Sequence, residues 1–144
     1  MEIPYRIVQI VTNRFEQHPE LLKIGPEIQI QSRFNFAVNQ DEHRVLCDSE
    51  YQFYQDENML IGLRFICVFD VEPAAFQGLA DKKNITIPVE FLRYMATICV
   101  GTARGILHAR TEGTNLNNFV LPPINLVEII KDPLVVPLSG IQEN

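Results

Sequence analysis

The chain has 144 residues, 47% of them apolar and 21% charged, with a formal net charge of −6 at pH 7. That length suits one domain with a sizeable core, and the balance is that of a globular rather than a disordered chain. The basic residues are scattered, with Lys82-Lys83 the densest cluster; with the acidic balance, this excludes a phosphate-binding surface, and no nucleic-acid partner is expected.

No apolar run is long enough to cross a bilayer, so no direct membrane insertion is expected. The opening "MEIPYRIVQI" has no basic n-region, apolar h-region or small-residue cleavage site, and no signal peptide is expected. Cys47, Cys67 and Cys99 lie far apart in apolar patterns and form no CxxC. They read as buried thiols of a protein in the reducing cytoplasm.

Ile3 to about Phe15 reads as a first strand, apolar on both sides through Ile7-Val8 and Ile10-Val11. From Ile28 to Val38 the even positions are mostly apolar and the odd ones mostly polar, the period-two signature of a half-buried strand. Residues 45 to 53 repeat it, and the polar "NQDEH" between them predicts a hairpin. A fourth strand runs over 59 to 71 after the tight link "QDEN". Its second face, with Leu60, Ile66 and Val68, is more apolar than plain water favours, so both sheet faces are expected to be partly covered.

After Pro73 the pattern changes. "PAAFQGLADKKN" reads as a loop or short turn. Pro88 stands at a first helical position, and the 22 residues behind it carry an apolar stripe of Phe91, Met95, Cys99, Thr102 and Ile106, widened by Leu92, Ala103 and Leu107. Arg93, Thr97, Arg104 and His108 fall on an opposite, polar face, and Gly101 and Gly105 suggest a close approach to a neighbour. A polar loop, "TEGTNLNN", leads into "FVLPPINL" (119 to 126), where two prolines exclude both a helix interior and a central strand. "INLVEIIK" allows a short helix, and with Pro133 and Pro137 the tail from about 132 to 144 reads as irregular. Strands first and helices after make a single α+β domain over 1–144: a four-stranded antiparallel sheet followed by one long and one short helix.

No catalytic constellation stands out. His18, His43 and His108 lack metal-ligand spacing, and Asp41-Glu42 and Asp56-Glu57 suit solvated turns. No GxSxG, GxGxxG or Walker motif is present. No enzyme, metal or cofactor is therefore expected. The apolar surplus has two readings, a well-covered core or a self-associating protein with an apolar groove, and composition leaves both open.

Asn84-Ile85 with Pro88, Arg104-Gly105, and Leu121-Pro122-Pro123-Ile124-Asn125-Leu126, together with "YRIVQIVTNRFE" at the start, resemble the SecB-type protein-export chaperones in order and spacing over residues 3 to 130. The resemblance implies a homotetramer that holds unfolded polypeptides in apolar grooves without ATP. On that basis Val120, Leu121, Pro122, Pro123, Ile124 and Leu126 would display one apolar wall, held extended by the prolines, and Phe76 and Leu79 the other. Tyr94, Thr97, Gly101 and Arg104 would form the oligomer contact. The chain also departs from the family. Arg14 stands where a first-strand acid would dock the export motor, and the C-terminal docking helix is replaced by "KDPLVVPLSGIQEN". A chaperone for unfolded chains, possible in export, a chaperone dedicated to one partner such as an antitoxin, and a purely structural oligomer are the readings carried forward, with a small-molecule enzyme behind them.

Overall fold

The computed structural model describes residues 2–139. Four long strands form an antiparallel sheet: β1 Tyr5–Gln17, β2 Ile28–Asn39, β3 Arg44–Gln55 and β4 Asn58–Val71, in spatial order β1-β4-β3-β2. Both tight turns place one residue in the left-handed region, His43 at φ 56° and Asp56 at φ 54°. A short helix, α1 Pro73–Gln77, and a strand, β5 Asn84–Ile87, lead into the long helix α2 Val89–Arg110. Behind it come α3 Leu126–Ile129 and β6 Leu134–Pro137.

The core lies between one face of the sheet and α2. Val45, Cys47, Ser49, Tyr51, Phe53 and Gln55 of β3 are buried in alternation. Register places Cys47 opposite Cys67, Ser49 opposite Phe65 and Tyr51 opposite Leu63, so β4 buries its own alternate set on the same side. Phe91, Leu92, Met95, Ala96, Cys99, Val100, Ala103 and Leu107 cover them from α2. Gln55 fastens the loop before β2: its side chain accepts from the Lys23 N–H at 2.8 Å and donates to the carbonyls of Lys23 and Pro26 at 2.7 and 2.9 Å.

The outer sheet face carries cross-strand ion pairs. Arg6 pairs with Asp70 at 3.1 Å, Arg64 with Asp48 at 2.7 Å, and Arg33 with Glu50. Such solvated pairs contribute little to stability. Val68 is nonetheless buried on that side and Ile66 is half-buried, so the face is partly covered. Leu60, expected there from sequence, belongs instead to the core cluster, because a bulge that pairs Phe53 with Ile61 but Tyr54 with Met59 shifts it out of the alternation.

Three features differ from the sequence reading. Residues 73–77 form a helix because the Glu72 carboxylate accepts from the Ala74 and Ala75 N–H groups, with Pro73 in the first turn. The tail is not irregular throughout: β6 pairs antiparallel with β5, Ile85 opposite Val136 and Ile87 opposite Leu134. Gly101 and Gly105 make no close approach within the chain, since a Cβ at either meets open space.

Candidate functional site

β1 is an edge strand. In register with β4, Tyr5, Ile7, Ile10, Thr12 and Phe15 oppose Val71, Phe69, Cys67, Phe65 and Leu63, and so share the helix-side face. Bulges between Ile7 and Gln9 and between Thr12 and Arg14 keep these side chains on one side despite the uneven spacing. Helix α2 lies over β3 and β4, however, and leaves much of β1 bare. Ile7 is 43% exposed and Ile10 49%, and Val8 and Val11 are also exposed. The flank of α2 nearest β1 is marked by Tyr94, whose ring meets Tyr5 at 5.7 Å. Thr97, Gly101 and Gly105 continue along the exposed side of the helix, and Ile98 is half-buried. The β1 edge therefore presents an unpaired ladder with apolar side chains beside it.

The second surface is the segment from Phe119 to Ile130, here the strap, which runs along the other flank of α2. Among the described residues, positions 120–125 take part in no backbone-to-backbone hydrogen bond outside regular elements. Two arginines of α2 hold the strap instead. Arg104 donates from Nε to the Leu121 carbonyl at 2.7 Å and from Nη2 to the Pro122 carbonyl at 3.0 Å. Arg93, 11 positions earlier, donates from Nε to the Ile130 carbonyl at 2.9 Å and from Nη2 to the Val127 carbonyl at 3.4 Å. Pro122 and Pro123 have no N–H to satisfy, and the guanidinium fork supplies donors for the carbonyl acceptors of the run.

Placement of the residues singled out from sequence is mixed. Val120 is 72% exposed, Pro122 and Pro123 are exposed, and Ile124 and Leu126 are half-buried against the core. Leu121 is not displayed: at 1% exposure it is an anchor in the core. Phe76 is likewise buried, packed against the His43 ring at 5.1 Å, because α1 turns its apolar side inward. Leu79 is half-buried, and its carbonyl accepts from Thr86 of β5, so this segment is fastened to the β5 ribbon while the strap is fastened to α2. Tyr94, Thr97 and Gly101 lie open on α2, whereas Arg104 is occupied with the strap. Sequence reasoning passed over Arg93 as a clamp, although its 11-residue spacing from Arg104 is three helical turns and puts both on one face.

Among the described residues no group of three or more His, Cys, Asp or Glu side chains is arranged to hold a metal ion, and no helix is long and apolar enough to cross a membrane. Cys47, Cys67 and Cys99 converge in the core and are free. Interaction with the Cys99 thiol, then burial, pushes the Cys67 thiol far above its ordinary range. Cys47 and burial likewise push the Cys99 thiol up. Raised thiols stay protonated and unreactive at neutral pH. The native protein is therefore expected to resist a thiol-specific disulfide reagent, and all three cysteines to react once it is unfolded. Rapid modification of the native protein would contradict the buried cluster.

No family model and no curated protein matches the chain. Among solved structures, the chain is similar to the Mycobacterium tuberculosis Rv1957 SecB-like chaperone in complex with a ChAD peptide from the Rv1956 HigA1 antitoxin. The two are 10% identical, the match covers 84% of this chain and 91% of that one, and the TM-score is 0.49.

Proposed function

We propose that the chain is a non-enzymatic, chaperone-like protein of the cytoplasm that binds other polypeptides without nucleotide and works as a homo-oligomer. The observation that carries this reading is apolar surface left in water on ordered elements. It occurs in two places, on β1 through Ile7, Val8, Ile10 and Val11, and on the strap and α3 through Val120, Val127 and Ile129. Grouped exposure of this kind marks interaction surfaces.

The two surfaces suit different partners. β1 offers 13 residues of open ladder, which a second copy of the same strand satisfies by antiparallel pairing about a two-fold axis. The exposed Thr97 and Gly101 on α2 extend that contact, and Gly101 leaves room for a close partner, while Tyr94 turns to the cleft at the start of β1. The strap suits a client: Val120, Pro122, Pro123, Ile124 and Leu126, with Val127 and Ile129 following, offer apolar groups on a clamped backbone. A surface ordered beforehand spares part of the entropy cost of capturing a flexible chain. Export is left out of the reading, since Arg14 forms an ion pair with Glu16 at 2.7 Å where a docking acid was expected, and residues 134–137 are strand rather than docking helix.

The test is light scattering of the purified protein, followed by dilution of a chemically unfolded model protein into it without nucleotide. The expected result is an oligomer that suppresses aggregation at near-stoichiometric ratio, and Ile10→Lys is expected to lower the mass towards the monomer. An oligomer that leaves aggregation unchanged would favour the structural-adaptor reading. A wild-type monomer, or an Ile10→Lys protein of undiminished mass, would rule out pairing through β1.

A further inference from the structure

An open cleft of about 640 Å³ lies between the start of β1 and the first turn of α2. That volume falls within the range of about 300–1,000 Å³ usual for ligand sites. Its wall is an aromatic corner, in which the Tyr5 ring meets Phe91 at 5.7 Å and 70° and Tyr94 at 5.7 Å and 74°. Ile3, Pro4 and Pro88 add apolar surface that would lie along an aliphatic stem. The Tyr5 hydroxyl remains neutral here, with burial first and Tyr94 second pushing it up to about 12.

Two carboxylates, Glu2 and Glu90, also line this cleft. Neither forms an ion pair with a described residue, in contrast to Glu16, Glu42, Asp48, Glu50 and Asp70. The N-terminus of α2 brings an opposing partial charge of about +0.5, which two full negative charges outweigh. Elsewhere the chain uses the same kind of pairing for itself: the Arg110 guanidinium lies 5.3 Å from the centre of the Phe15 ring. No described arginine or lysine of the chain occupies the Tyr5–Phe91–Tyr94 corner in that way.

We propose that this cleft is a binding site for a cationic side chain, arginine above all, presented by a polypeptide partner. The inference rests on the polypeptide-binding reading and adds which side chain the partner contributes. Arginine fits better than lysine because its planar group stacks on aromatic faces while its fork meets carboxylates.

The test is an NMR titration of the full-length protein with N-acetyl-arginine amide and, separately, with its neutral isostere N-acetyl-citrulline amide. The chain has four tyrosines and no tryptophan, so the Tyr5 and Tyr94 ring signals are readily assigned. The arginine probe is expected to shift both rings saturably and to bind about tenfold more tightly than the citrulline probe. The Glu2→Gln/Glu90→Gln variant, altered only at exposed positions, is expected to abolish that difference, and Tyr94→Leu to weaken the arginine probe. Equal binding of the two probes, shifts confined to other residues, or an undiminished preference in the double variant would overturn the site. The titration needs no unfolded client, so a failed site leaves aggregation suppression untouched. Loss of suppression beside an intact arginine preference would overturn the wider reading alone.

Discussion

Leu121→Asp is expected to unfold the chain, and Val120→Asp, one residue earlier, to leave it folded while weakening client capture. Leu121 is 1% exposed and belongs to the core cluster, whereas Val120 is 72% exposed. Losing a buried leucine side chain costs about 2–5 kcal/mol, and an unpaired carboxylate in its place adds several more. Together these approach the about 5–15 kcal/mol that holds a typical domain together. At Val120 the same change lies on the surface, where substitutions usually stay within about 0.5 kcal/mol. Denaturant unfolding followed by circular dichroism separates the two. A Leu121→Asp protein with a near-normal midpoint would show that the strap is not anchored there. A folded Val120→Asp protein with undiminished aggregation suppression would remove the strap from the client site. Leu121→Asp alone cannot report on capture, because losing the fold also loses the function.

The contrast between these neighbours shows where sequence patterning ends. Leu121 and Val120 sit in one apolar run without helical or strand period, so nothing local says which points inward. The anchor is chosen by the approach of α2, a contact 17 positions away in sequence through Arg104. Elsewhere the pattern was enough. Ile28 to Val38 alternates cleanly because β2 has one face towards the core, and the observed strand is Ile28–Asn39. Pro88 marks the entry to α2, and six of the eight residues of the apolar stripe behind it are buried. Thr102 and Ile106 are half-buried at its margin, while Ala96 and Val100 complete the buried face.

β1 looked apolar on both sides for a physical reason. Its two bulges reset the alternation, so Ile7 and Ile10 share a face although three positions apart. The β5–β6 pair escaped notice because each strand has only four residues, too few for a period to show. The pairing of Asn84 with Pro137 joins segments more than 50 positions apart in sequence. α1 did carry a legible signal, an acid directly before a proline, which fits a capping residue followed by a first helical position. The polar face of α2 was readable from spacing, but a sequence names donors without naming acceptors. That Arg93 and Arg104 would serve carbonyls of the strap was visible only in three dimensions.

Arg104→Met is accordingly expected to free the strap without emptying the space beside it. Methionine keeps an aliphatic stem against α2 and removes both hydrogen bonds, to the Leu121 and Pro122 carbonyls. Hydrogen bonds from a charged group contribute about 1.5–3 kcal/mol each; the one to Leu121 is partly buried and the one to Pro122 exposed, so a loss of about 2–3 kcal/mol is expected. Arg104→Lys should recover part of it, since one ammonium cannot reproduce the fork. Denaturant midpoints would rank wild type, Lys and Met in that order. Hydrogen exchange locates the effect: the hydrogen-bonded amides of Phe119 and Ile130, at the two ends of the strap, should lose protection before those of β3 and β4. Loss spread evenly over the sheet would mean that Arg104 supports the whole fold rather than this one segment. Local loosening has a functional consequence as well. A strap that opens must be ordered again for each client, so Arg104→Met should weaken capture even where the sheet and α2 remain folded. Capture undiminished by a demonstrably mobile strap would place the client elsewhere, and the unpaired edge of β2 would then be the next surface to test.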